Sequence, residues 1–118
     1  MITLYGIKSC DTVRKARRWL DQHDIEYHYH DLREDGLSKA RAKAWLTTLG
    51  QQVLVNRRST TWKTLPTELR EHMDDGEALR ALLEHPTLMK RPVLDTGSEI
   101  HVGFTPGQYQ ALFNLHTL

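Results

Sequence analysis

Cys10 is the single cysteine among 118 residues and the side chain best placed for nucleophilic chemistry. It follows a β-prone segment, residues 1–5, and stands among helix-capping residue types such as Thr12, where helical spacing begins. Unpaired backbone N–H groups and the helix dipole stabilise a thiolate at such a position. Lys8 and Arg14 add cations, and Arg14 lies one turn further along the same side. These effects favour the thiolate. The alternative is an inert cysteine, because free cysteine is among the most buried residue types.

Basic residues predict an anion-binding site beside this cysteine. The backbone N–H groups of the first helical turn, together with the guanidinium of Arg14, are suited to an oxyanion or a carboxylate. Two further arginine regions, Arg57-Arg58 and Arg91, are candidates to join them. A solvated helix face is the alternative interpretation of Arg14.

The first third of the chain has the pattern of a β-α-β unit. A strand over residues 1–5 ends at Gly6, and a helix is predicted to run to about residue 23. Residues 25–30 then alternate with period two, as a half-buried strand does. Two parallel strands joined by a right-handed crossover are therefore expected. The predicted buried face of the helix consists of Val13, Ala16, Trp19 and Leu20.

The middle of the chain is predicted to be helical and the end to return to the sheet. Helical periodicity covers residues 38–49 and 76–85, and two short helices flank Pro66. Strands are then predicted at Arg91–Leu94 and Glu99–Gly103, before a helix that starts at Pro106. This order indicates one α/β domain over residues 1–118 with a thioredoxin-like fold and a four-stranded mixed sheet. The core covers about 1–34 and 87–118, and a helical insert covers about 35–86.

The Arg91-Pro92 pair opens the first of these late strands. Only about 5–6% of X-Pro bonds in folded proteins are cis, so the base rate favours trans. In a thioredoxin-like order, however, a proline at this point is expected to be cis and to face Cys10. The backbone of Arg91 would then be exposed for pairing with an extended peptide or with glutathione.

Composition excludes several classes of function. The net charge of +1 shows no electrostatic footprint for nucleic acid, and no apolar run is long enough to span a membrane. The N-terminus lacks the features of a signal peptide, and one cysteine forms no internal disulfide, so we expect a cytoplasmic protein. We also expect a monomer, because no long apolar surface segment is present. His28 and His30 share a strand face but have no further ligands at metal-site spacing, so no metal and no tightly bound cofactor are expected.

Three ordered motifs resemble the ArsC/Spx family, and within it the YffB-type reductase subgroup. They are Tyr-Gly-Ile-Lys-Ser-Cys-Asp-Thr-Val-Arg-Lys-Ala-Arg-Arg-Trp-Leu at residues 5–20, Asn-Arg-Arg-Ser-Thr-Thr-Trp-Lys-Thr-Leu at 56–65, and Lys-Arg-Pro-Val at 90–93 with a later Val-Gly-Phe. The resemblance covers essentially the whole chain. It implies a thioredoxin fold with a helical insert and a glutathione-linked thiol or oxyanion reductase.

The family pattern carries over only in part. Cys10 matches the catalytic cysteine of glutaredoxin-dependent arsenate reductases, and Arg91 matches one of their oxyanion-binding arginines. Asn56 and Phe104 stand where the other two arginines would be, which weakens the hold on a tetrahedral anion. Val13 stands at the second position of the Cys-x-x-Cys switch that Spx-like regulators carry. An arsenate reductase and an intramolecular redox switch are therefore both disfavoured.

The resemblance implies an oxidoreductase in which the Cys10 thiolate forms a mixed disulfide with glutathione, a co-substrate. Glutaredoxin is a possible partner. The implied support residues are Lys8 for the thiolate, Arg14, Arg91 and one of Arg57 or Arg58 for the glutathione carboxylates, and Pro92 for backbone pairing. Two alternatives stay open: a glutaredoxin-linked arsenate reductase, and a non-enzymatic Spx-like regulator that binds RNA polymerase.

Overall fold

The computed structural model describes residues 1–113 and contains four strands and seven α-helices within them. In chain order these are β1 (Thr3–Gly6), α1 (Asp11–Gln22), β2 (His28–Asp31), α2 (Lys39–Leu49), α3 (Gln51–Leu54), α4 (Thr60–Thr64), α5 (Thr67–Glu71), α6 (Asp75–Glu84), β3 (Val93–Asp95), β4 (Ile100–Val102) and α7 (Pro106–Leu112). A 3-10 turn, Pro86–Leu88, follows α6. The described chain forms two compact units: unit 1 comprises residues 1–31 and those from Arg91 onward, and unit 2 comprises Leu32–Lys90.

Unit 1 contains a mixed sheet with the strand order β2-β1-β3-β4. β1 pairs in parallel with β2, which places Leu4 opposite Tyr29, and antiparallel with β3, which places Leu4 opposite Leu94. β4 adds antiparallel to the other side of β3. The parallel pair is connected through α1, as a β-α-β unit requires. With the closing β-β-α, this order confirms the predicted thioredoxin-like α/β fold.

The core of unit 1 forms because α1 has one apolar face. The four residues predicted for that face are buried, and three of them pack with Leu4, Leu94 and Tyr109 in one cluster. β2 differs from the prediction, since it begins at His28 rather than at residue 25. The N–H of Ile25 instead donates to the carbonyl of Leu20 at 3.0 Å, so this residue belongs to the turn that follows α1.

A close contact between Gly6 and Val13 sets the distance between β1 and α1. A Cβ atom at Gly6 would lie 2.7 Å from both γ carbons of Val13, so only glycine fits there without displacement. Val13 itself is fully buried. The position that holds a second cysteine in the Spx-like pattern is therefore a core position in this chain.

Unit 2 is built from short helices, as predicted for the middle of the chain. α2 packs against α6, and each begins with a side-chain cap: Ser38 accepts from the N–H of Arg41, while Asp74 and Glu77 form a reciprocal capping box. Trp45 of α2 is buried.

The sequence pattern missed two features of unit 2. The first is the one-turn helix α3. The second is an isolated antiparallel bridge between Val55 and Met89, in which the N–H of Lys90 donates to the carbonyl of Leu54 at 2.8 Å. Both central residues of the bridge are buried. A single bridge between residues far apart in sequence has no local pattern, so periodicity does not detect it.

Candidate active site

Cys10 is the N-cap residue of α1. Its backbone is extended, with φ −82° and ψ 122°, its carbonyl accepts from the N–H of Arg14 at 3.1 Å, and its own N–H donates to the carbonyl of Ile7 at 3.0 Å. The side chain is a free, half-buried thiol. A tight turn thus places the sulfur at the start of α1. This confirms the prediction that Cys10 lies at or just before the start of the first helix.

The predicted hydrogen bonds from the first-turn amides to the sulfur are not made. Among the described residues, no backbone N–H donates to the Cys10 side chain as a cap. The first-turn amides, that of Thr12 included, have no carbonyl partner within the helix. They are therefore suited to a negatively charged group at this end of α1.

A buried carboxylate holds the turn that carries Cys10. Asp31, 3% exposed at the end of β2, accepts from the backbone N–H of Lys8 at 3.2 Å and from the hydroxyl of Tyr29 at 3.1 Å. Sequence reasoning missed Asp31 because the strand was predicted to end one residue earlier. The available signal was an acidic residue at the carboxyl end of a strand parallel to β1, which places it beside the end of β1.

Arg14 forms an ion pair with Asp11, which was not among the predicted site residues. Its guanidinium donates to the carboxylate of Asp11 and, at 3.5 Å, to the backbone carbonyl of Lys8. The hydrogen bond and the charge of Arg14 lower the pKa of Asp11 below its ordinary value. Arg14 therefore lies at the first turn of α1, as predicted, but its charge is partly balanced there.

The Arg91-Pro92 peptide bond is cis, as predicted. Pro92 is buried, and its carbonyl accepts from the N–H of Gly103 at 2.9 Å. The next residue, Val93, pairs with Tyr5 near the end of β1. Strand register thus places the start of β3 beside the end of β1, from which the turn to Cys10 departs.

The two remaining predicted arginines belong to unit 2. Arg57 and Arg58 are exposed in the loop before α4. The N–H of Arg58 donates to the side-chain oxygen of Asn56 at 3.0 Å, and the guanidinium of Arg57 lies 5.4 Å from the ring centroid of Trp62. Asn56 therefore shapes this loop rather than supplying a cation. The predicted contact of either arginine with a ligand of Cys10 stays a prediction.

Comparison with known proteins places this arrangement in a family. The ArsC family profile matches residues 5–112. The chain belongs to the ArsC family. Among solved structures, a protein named YFFB superposes with a TM-score of 0.89 at 39% identity, covering 94% of this chain and 97% of that one. An arsenate reductase (ArsC) related protein from Brucella melitensis gives a TM-score of 0.80 at 42% identity, covering 97% of this chain and 95% of that one.

Regulators are also among the relatives of this ArsC-family chain. Regulatory protein MgsR of Bacillus subtilis is 32% identical over an alignment that covers 99% of this chain and 94% of that protein. The chain is thus similar both to a protein named as arsenate reductase related and to a protein named as a regulator, so family membership alone does not decide the activity.

Two further structural observations concern the described residues of the ArsC-family chain. Within residues 1–113, no group of three or more histidine, cysteine, aspartate or glutamate side chains is arranged to hold a metal ion. No helix in the same range has the length and apolarity needed to cross a membrane. The candidate site itself offers a free thiol, that of Cys10, at the start of α1.

Proposed function

We propose that the protein is a glutathione-dependent thiol/disulfide reductase that uses the thiolate of Cys10 as its nucleophile. The observation that carries the proposal is the placement of Cys10, a half-buried thiol at the N-cap of α1 with no cap hydrogen bond to its sulfur among the described residues. A helix N-terminus stabilises a thiolate and leaves it accessible to an incoming disulfide.

The reaction proceeds by three thiol–disulfide exchanges. The Cys10 thiolate attacks one sulfur of a disulfide, the S–S bond breaks, and the other sulfur leaves as a thiolate that takes a proton from solvent. A first glutathione thiolate then attacks the Cys10 sulfur of the mixed disulfide, expels the second substrate thiolate and forms a Cys10–glutathione adduct. A second glutathione thiolate attacks the glutathione sulfur of this adduct, which releases Cys10 and oxidised glutathione. Over the cycle one disulfide is reduced to two thiols and two glutathione molecules are oxidised to one disulfide.

The residues around Cys10 supply the binding groups for glutathione in this proposal. The first-turn N–H groups, including that of Thr12, and the Arg14 guanidinium are suited to a carboxylate. The family resemblance assigns the other glutathione carboxylate to Arg91 and to one of Arg57 or Arg58. Further roles follow from the family pattern: Lys8 supports the thiolate, and the Arg91-Pro92 backbone pairs with the peptide.

Arsenate is a poorer fit than a disulfide. Phe104, which stands where the family pattern places an oxyanion-binding arginine, packs edge-on against the buried Tyr109 with ring centroids 4.7 Å apart. An aromatic ring held in the core contributes no positive charge to an oxyanion. We therefore propose disulfides, rather than arsenate, as the substrates.

The test is incubation with oxidised glutathione followed by intact mass measurement. We expect one glutathionyl group on the native protein and none on Cys10→Ser. A matched variant, Ser9→Ala, keeps the thiol and should keep the adduct. No adduct on the native protein, or an adduct that survives Cys10→Ser, would contradict the proposal.

A second candidate is a non-enzymatic regulator, favoured by the similarity to MgsR along nearly the whole chain. In that case the protein binds RNA polymerase and Cys10 has no catalytic role. Steady-state reduction of a small disulfide by glutathione separates the two candidates. Turnover that Cys10→Ser abolishes supports the reductase, whereas co-purification with RNA polymerase without turnover supports the regulator.

A further inference from the structure

The face of α1 that continues from Cys10 is lined with guanidinium groups. At about 100° per residue, Arg14 and Arg17 lie within about 40° of the direction of Cys10 around the helix, and Arg18 lies about 80° from it. Together with Asp21 and Gln22, these three arginines line an open surface cavity of about 480 Å³. We call this surface the α1 arginine face.

Arg17 is held in place by two aromatic residues of the neighbouring strand segment. Its Nε donates to the hydroxyl of Tyr27 at 3.2 Å, and its guanidinium lies 4.0 Å from the ring centroid of Tyr29. The hydrogen bond to Tyr27 raises the pKa of Arg17, so the group stays charged at every physiological pH. A guanidinium fixed in this way loses little conformational freedom when it binds a carboxylate.

The other two arginines differ in how far their charge is balanced. Arg14 is bonded to Asp11, whereas Arg18 is exposed and makes no ion pair or hydrogen bond with residues in the described range. Asp21 lies at the far end of the face and limits the positive region to the part nearest Cys10. The positive surface therefore extends from the thiol to Arg18, a rise of about 12 Å along the helix.

We propose that the α1 arginine face binds an acidic polypeptide segment next to the disulfide that Cys10 attacks, so that the preferred substrates are disulfides in acidic protein segments. The inference rests on the proposed reductase function. Glutathione reaches Arg14 but is too short to reach Arg18, because its carboxylates lie within roughly 10 Å of its sulfur even through the γ-glutamyl linkage. An extended chain covers the 12 Å to Arg18 with about four residues. Carboxylates three to five positions from the substrate cysteine then meet Arg17 and Arg18.

The experiment uses synthetic peptides whose cysteine carries a thionitrobenzoate group in disulfide linkage. Attack by the Cys10 thiolate on the peptide sulfur forms a Cys10–peptide disulfide and expels the thionitrobenzoate anion, whose absorbance reports the rate. One peptide has acidic residues three to five positions from its cysteine, on both sides, and the other has serines there. The quantity compared between variants is the ratio of the acidic-peptide rate to the neutral-peptide rate.

A matched pair of variants distinguishes an effect of the α1 arginine face from an effect of the net charge of the protein. Arg18→Gln and Lys15→Gln each remove one exposed positive charge from α1, but Lys15 lies about 140° around the helix from Cys10. For the native protein we expect a ratio of about 10 at an ionic strength of about 0.01 M, within the range of electrostatic steering. At about 1 M salt, where charges are screened beyond about 3 Å, the ratio should approach 1. Arg18→Gln should lower the low-salt ratio at least about threefold, and Lys15→Gln should lower it by clearly less, because charges on the same helix still interact at this ionic strength.

Three outcomes overturn the inference. They are a native ratio near 1 at low salt, an equal fall of the ratio in both variants, and an Arg18→Gln effect on oxidised glutathione as large as that on the acidic peptide. The last result would assign the face to the small thiol rather than to a polypeptide. Failure of the proposed function is distinct, because neither peptide nor oxidised glutathione would then react with Cys10, and both proposals would fall.

Discussion

The carboxylate of Asp11 shares the first turn of α1 with the proposed nucleophile. It accepts a hydrogen bond from Arg14, and this bond, followed by the charge of Arg14, lowers its pKa from the ordinary value of 3.8. The pair places a negative and a positive group together within the first turn of α1, next to Cys10. The titration of Asp11 is therefore a direct readout of where the Arg14 guanidinium lies.

We predict that Asp11 titrates below 3.8 in the native protein and near that value in Arg14→Gln. Because the folded-state pKa is depressed, the stabilisation from this pair is present above the unfolded-state pKa and is lost as pH falls through the folded-state value. NMR titration of the Asp11 side-chain carbonyl measures the shift, and Lys15→Gln, which removes a charge that lowers this pKa more weakly than Arg14, should change it less. An unchanged Asp11 titration in Arg14→Gln would contradict the assigned contact.

Asp31 is a second carboxylate near Cys10, and it differs from Asp11 in being buried. Asp31→Ala leaves the N–H of Lys8 and the hydroxyl of Tyr29 without this acceptor, and hydrogen bonds to a charged group contribute about 1.5–3 kcal/mol. Tyr29→Phe removes one donor and keeps the carboxylate, so its cost should be smaller, about 0.5–1.5 kcal/mol. Urea unfolding measures both. Equal stability of Asp31→Ala and the native protein would show that the carboxylate does not hold the turn.

β1 and α1 approach each other most closely where Gly6 meets Val13. Gly6→Ala forces a methyl group against Val13, and overpacking of this kind costs about 1–3 kcal/mol. Gly107→Ala is the matched control, because its Cβ would meet nothing within 4 Å, and alanine is a better helix former. Thermal unfolding should show a loss for Gly6→Ala and a small gain or no change for Gly107→Ala.

The double variant Gly6→Ala with Val13→Ala distinguishes a steric cause from a backbone cause. If the Val13 methyls are the obstacle, the second substitution adds less destabilisation in the Gly6→Ala background than in the native background. Additive losses would show that the strand rejects alanine for another reason.

Elements with a local residue pattern could be predicted from the sequence, whereas contacts between residues far apart in the chain could not. The helical face of α1 was predictable because four apolar residues recur at helical spacing along one segment. The bridge between Val55 and Met89 and the hydrogen bond from Lys8 to Asp31 join distant parts of the chain, so their formation depends on the completed fold. The position of Cys10 followed from local capping signals alone.

At the scale of the whole molecule, the decisive fact is that the chain has one cysteine. A reductase with a second cysteine can expel its bound thiol by forming an internal disulfide, whereas this chain cannot. Every Cys10 adduct must therefore be resolved by another molecule. In the proposed reaction, the dependence on an external thiol therefore follows from the whole sequence rather than from the local site.

We predict that the purified Cys10–glutathione adduct persists when free thiol is removed and disappears when reduced glutathione is added. Intact mass spectrometry follows the adduct, and the oxidised glutathione released should equal the adduct lost, because each exchange forms one disulfide and breaks one. Mixing the adduct with unmodified protein controls for attack by a second copy, which would appear as a disulfide-linked dimer. Loss of the adduct without any added thiol and without dimer would mean that a group other than a cysteine resolves it, and the exchange mechanism proposed for Cys10 would have to be abandoned.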